Sequence, residues 1–311
     1  MALVASLVAT AVSGVFTVRL ASRWVAGGRR NPALLAWTIS LAMFAIASLM
    51  LLAGTIVGWS VATFHVFYLF GAVLTVPWLA LGSVLVNTRD RLVSRLTGGA
   101  TLLVGLAFLP GALRGEPLAV PGAVLGLVWA LMQLDGDRDR LRVGSALLLV
   151  AFTIVAAVVV LTATFTAPLP SAGLPEGREL FPEAARGFAV GGNAIGSIVV
   201  IVGAVMAAFR LMWLSAGEDV RAVARSHVRA RRLVDAAAAG VLGGWRALEG
   251  AGFRALVTGN LFIALGVVIA AGSGGMFSFL GDTEAHAIGL GLGVLVMYGG
   301  FERTTRPVVR A

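Results

Sequence analysis

This chain of 311 residues is 59% hydrophobic and only 13% charged, with a mean hydropathy of +0.94, so it carries about half the charge of an average soluble domain. Its net charge of +9 sets 24 basic residues, every one Arg, against 15 acids. The absence of Cys and Lys excludes disulfides, thiolate metal sites, a thiol nucleophile, a Schiff-base retinal pigment and a P-loop lysine, and 3 His leave little for a multi-His metal cluster.

A helix crosses the hydrocarbon of a membrane in about 20 apolar residues. Nine apolar blocks of that order divide the chain, at 2–20, 33–57, 61–87, 93–113, 118–134, 143–167, 187–212, 254–278 and 285–301. The expected fold is therefore all-α, a bundle of about nine transmembrane helices in one domain over 1–311. The first block has no basic residue ahead of it, so it lacks the n-region of a cleavable signal peptide and reads as an uncleaved span. Its Ser6, Thr10, Ser13 and Thr17 recur at helical spacing and line one face. Asn31-Pro32 opens the second block as a cap followed by proline at the first helical position. The third contains His65, Tyr68 and Thr75, and Pro77 should kink it, with Thr75 placed to satisfy the freed carbonyls. Arg114-Gly-Glu-Pro117 forces a turn before the fifth block, the shortest.

Asp135, Asp137 and Asp139 alternate ahead of the sixth block like the start of a calcium loop. The later Gly and closing Glu are missing and Arg138 and Arg140 neutralise the run, which reads as a solvated loop. The segment 168–187 carries four prolines and reads as a semi-rigid lid over the outer mouth. The seventh block sets Gly192, Gly196 and Gly203 on one face and holds Asn193; the eighth holds Asn260; the ninth begins near His286 and carries Gly289 and Gly293. The glycines read as packing seams. Between the seventh and eighth lies the basic segment 216–246, where Arg221, Arg225, Arg229 and Arg232 share one helical arc. It reads either as a topology-setting loop or as a helix for anionic headgroups or a cytoplasmic partner.

Alternating the blocks across the bilayer gathers every arginine on one side except Arg114, Arg178 and Arg186. The positive-inside bias then predicts an external N-terminus and a cytoplasmic C-terminus. Trp24, Trp37, Trp59 and Trp213 fall near the predicted interfaces. The basic charge follows this geometry, so no nucleic-acid partner is expected.

Polar groups inside a membrane are the natural functional candidates. Asn193 and Asn260 lie at opposite depths, so they read either as interhelical hydrogen-bonding groups or as outer and inner stations of a path. His65 and His286 both belong to the outer leaflet. Two facing imidazoles are a weak candidate pair for haem or metal, or a proton sensor, and water at the interface satisfies them equally well. No buried carboxylate pair and no catalytic motif is present, so an enzyme is not expected and no cofactor is assigned.

The segments FYLFGAVLTVPWLALGS (67–83), LPEGRELFP (174–182) and GNLFIALG (259–266) resemble parts of an uncharacterised family of multi-spanning bacterial inner-membrane proteins. The resemblance extends over most of the chain, implies the membrane class and that location, and carries over no functional residue. Three functions stay open at this point. The first is a transporter or permease-like protein for a small or lipid-soluble molecule. The second is a membrane receptor, scaffold or accessory subunit acting through 216–246, with another membrane protein as a partner. The third is a haem or metal protein.

Overall fold

Four polar side chains stand immediately ahead of helices and cap their first turns. Asn31 Oδ1 accepts from the backbone N–H of Ala33 and Leu34 at 3.1 and 3.3 Å. Ser60 forms a reciprocal capping box with Thr63. Asp90 Oδ1 accepts from Leu92 and Val93, and Asp137 Oδ1 from Asp139 and Arg140. Each cap supplies an acceptor to N–H groups that have no partner in the first turn. Gly58 and Gly136 stop two of the helices at φ 93° and 76°, values that a residue with a Cβ adopts only under strain.

The computed structural model of the chain describes residues 2–88, 90–170, 175–215, 253–272 and 283–304. Its elements are α1 (Ala2–Ala26), α2 (Pro32–Val57), α3 (Val61–Asn87), α4 (Arg91–Leu113), α5 (Val120–Asp135), α6 (Arg138–Leu161), the single turn α7 (Gly177–Leu180), α8 (Glu183–Ser215), α9 (Phe253–Gly272) and α10 (Thr283–Thr304). Among the described residues there is no strand. Among the described residues six helices, α2, α3, α4, α6, α8 and α9, are long and apolar enough to cross a membrane by length and composition, while α5 has only 16 residues. Helices α1 and α10 overlie the first and ninth apolar blocks. The basic segment 216–246, with Arg221, Arg225, Arg229 and Arg232, lies outside the described residues.

The sixth block departs from expectation. Its helix starts at Arg138 and ends at Leu161, so 162–167 is not part of a span. Thr162, Thr164 and Thr166 are β-branched and alternate with apolar residues, and Pro168 and Pro170 follow. Such a pattern favours extended chain. The segment turns back along the short element after it, with Thr166 N–H donating to Leu180 O at 2.9 Å.

Helix α8 is the hub of the bundle, packing against α3, α4, α5, α6 and α9. Lipid offers no hydrophobic drive between helices, so close approach depends on small residues. A Cβ at Gly196 would fall 2.9 Å from the Val76 side chain and 3.0 Å from its backbone, and one at Gly126 would lie 2.7 Å from Gly105 Cα. The hydroxyls along α1 bond back to their own helix, as Thr10 does to Ser6 O at 2.7 Å, which neutralises that face for packing on α2. The outer surface is apolar over long helical stretches: Leu103 is 70% exposed, and Leu147, Ile154 and Val158 of α6 are also exposed. Side chains of this kind in continuous bands face lipid, not water.

The interior tells the same story through its indoles. Trp129 is fully buried and donates to Ser145 Oγ at 2.9 Å, and Trp78 donates to Thr153 Oγ1 at 3.0 Å. Both hydroxyls come from the inner face of α6, whose outer face is aliphatic.

Candidate functional site

Helix α3 begins at the arginine-poor end of the bundle and finishes at the arginine-rich end. Three groupings of residues lie along it, each built from different chemistry.

The first is a dry aromatic cap. Phe64 and Phe181 are fully buried and stack with centroids 5.7 Å apart, and Tyr68 stacks on Phe181 at 4.2 Å. Helix α7 sits directly over Tyr68, because Gly177 has no side chain to collide with that ring. His65 is 6% exposed. Its Nδ1 lies 2.7 Å from Val61 O and its Nε2 lies 3.0 Å from Ala163 O, while its ring stacks on Phe165 at 4.7 Å. Both nitrogens thus face carbonyl oxygens, leaving neither turned toward a metal. The side chain of His286 is outside the described residues. Among the described residues no group of three metal-ligating side chains occurs.

The second grouping is a break at mid-depth. Residues Tyr68–Leu74 of α3 form a π-helical turn, a geometry that recurs at functional sites. Pro77 follows and brings no N–H to the carbonyls behind it. Neighbouring side chains bond to the backbone around it. Thr75 Oγ1 donates to Phe70 O at 2.6 Å, and Ser40 Oγ of α2 donates to Thr75 O at 2.7 Å. Trp37 Nε1 of α2 donates to Leu79 O at 3.1 Å. From α8, Asn193 Nδ2 donates to Ala72 O at 2.8 Å, five residues before the proline. Asn193 Oδ1 is buried without a hydrogen-bond partner. Asn260 does something different: its Nδ2 donates to Leu256 O of its own helix at 2.9 Å.

The third grouping was missed by the sequence reading. At the arginine-rich end, Ser83, Val84, Asn87, Ser94, Thr97, Gln133 and Val199 surround a cavity of about 10 Å³, the volume swept by the centre of one water molecule. Gln133 is 1% exposed and Thr97 4%, and neither Gln133 Nε2 nor Thr97 Oγ1 has a partner. A buried polar atom left this way costs about 1–3 kcal/mol. Ser94 Oγ donates to Gln133 O at 3.1 Å, tying α4 to α5 beside the chamber. Asp90 caps α4 next to it and pairs with Arg210 of α8. The signal was present in the sequence, since Ser94, Thr97 and Thr101 repeat on one face of α4 and Gln133 stands alone in an apolar run.

One further group titrates outside the apolar helices. The backbone N–H of Arg140, then that of Asp139, then the Arg140 guanidinium hold the Asp137 carboxyl below the usual aspartate range.

No family model, curated protein or solved structure matches this chain. Its function therefore rests on the three groupings themselves.

Proposed function

We propose that the chain is a nine-span membrane protein, external at its N-terminus and cytoplasmic at its C-terminus, that acts as a permease-like protein for a small or lipid-soluble molecule. The observation that carries this reading is the break in α3. A π-turn and a proline sit at mid-depth in the most buried of the helices. Irregular backbone is tolerated at that depth only inside protein or beside a cavity. The side-chain bonds to the backbone in and just beyond it come from α2 and α8, so they can open when those helices shift without unfolding either one. Asn193 Oδ1 adds an unused acceptor at the same level. The aromatic cap over the arginine-poor end makes this a state closed on that side.

The chain lacks cysteine, so single cysteines read out access without background. Arg114→Cys and Arg138→Cys should react with a membrane-impermeant maleimide from opposite sides, which tests the threading. Ala72→Cys and Ala194→Cys, beside the break, should react from one side despite their depth. If both stay as inert as a cysteine at the fully buried Leu149, no path reaches the break and the permease reading is lost.

A further inference from the structure

The chamber at the arginine-rich end has an occupant of definite chemistry. Its lining side chains are all neutral, so a bare ion would exchange its hydration for no opposing charge. Its volume is that of one water. Gln133 Nε2 needs an acceptor, and Thr97 Oγ1 can give or take a hydrogen bond. Water does both, and suits the Gln133 carboxamide in either orientation. The hydroxyl of Ser83 and the carboxamide of Asn87 supply further polar surface on α3, with Val84 and Val199 as the apolar wall.

We infer that this chamber is a binding site for a single ordered water, which joins Thr97 of α4 to Gln133 of α5 and reaches α3 at Ser83 or Asn87. The site stands whether or not the protein transports anything, because it depends on unpaired polar atoms and a volume, and not on the break in α3. It makes the arginine-rich end of α3, α4 and α5 a hydrated joint.

The sign of a stability change tests it. Thr97→Val and Gln133→Met keep the side-chain size and remove the polar atoms. With a bridging water, each lowers the melting temperature of the detergent-solubilised protein by about 2–4 °C. The double variant then loses less than the sum, since both side chains hold one molecule. With an empty chamber, each substitution raises the melting temperature by removing an unpaired polar atom, and the inference is overturned. Strictly additive losses overturn the sharing. Should either variant fail to fold, X-ray hydroxyl-radical footprinting of the unaltered protein decides: Val84 and Val199 are modified well above the buried Leu149 if water is bound, and equally little if it is not.

Discussion

The two ends of α3 are packed by opposite means. At the arginine-poor end, Phe64 and Tyr68 stack on Phe181, Phe165 meets Phe64 and Phe181 edge-on, and His65 fastens the non-helical segment 162–167 to α3. At the arginine-rich end, hydroxyls and carboxamides surround a space the size of one water, and two of their polar atoms have no protein partner. Ring stacking and dispersion act over many atom pairs and are lost only when whole surfaces separate. Hydrogen bonds to a small guest exchange one at a time. The comparison teaches that the aromatic end holds stability and the polar end holds adaptability.

The sharpest way to break this contrast is Phe181→Ala. The ring is 1% exposed and touches four other aromatic rings, so its removal costs about 3–5 kcal/mol. Chemical denaturation in detergent measures this, and a loss below that of the polar-end variants would reverse the assignment of roles. Between the two ends, Asn193→Leu removes the bond to Ala72 O. Polar bonds between membrane helices contribute about 0.6–1.7 kcal/mol, so the melting temperature should fall by less than for Phe181→Ala. An unchanged value would mean that the break needs no external support.

The smallest effect belongs to Asp137, which is exposed and caps α6. Its carboxyl is held below the ordinary value, so its contribution is complete above about pH 3.9 and disappears as acid takes the pH down through the lower native value. Asp137→Asn keeps a capping side chain and should abolish that acid-dependent part of the loss. Melting curves of both proteins recorded down the pH scale compare the two slopes.

The positions of the helices were legible in the sequence because runs such as 33–57 and 187–212 are too long and too apolar for anything but a buried rod. Caps were legible where chemistry is local, as at Asn31-Pro32, and the support of the Pro77 region by Thr75 was visible for the same reason. What stayed hidden depends on partners far along the chain. Counting apolar residues carries the sixth span through Thr162 to Ala167, because hydropathy does not distinguish a helix from a non-helical segment lying on an aromatic core. The alternating threonines and the prolines beyond them held the contrary signal. The π-turn at Tyr68–Leu74 has no signature of its own, since its stability comes from α2 and α8. Gln133 is a lone polar residue near the end of an apolar run, and the residues that give it a role come from α3, α4 and α8.

The π-turn also decides how far a change in chain length is felt. Each residue of a regular α-helix advances the side chains by about 100°. The turn from Tyr68 to Leu74 takes up one extra residue with little added rotation, because its hydrogen bonds reach one residue further back. Deleting one residue inside it would restore ordinary winding and leave Ser83 and Asn87 close to their present phase. The same deletion just beyond Leu74, where the winding is already regular, would swing both by about 100° and out of the chamber. A one-residue gap is thus absorbed inside the π-turn and transmitted to the far end from just past it.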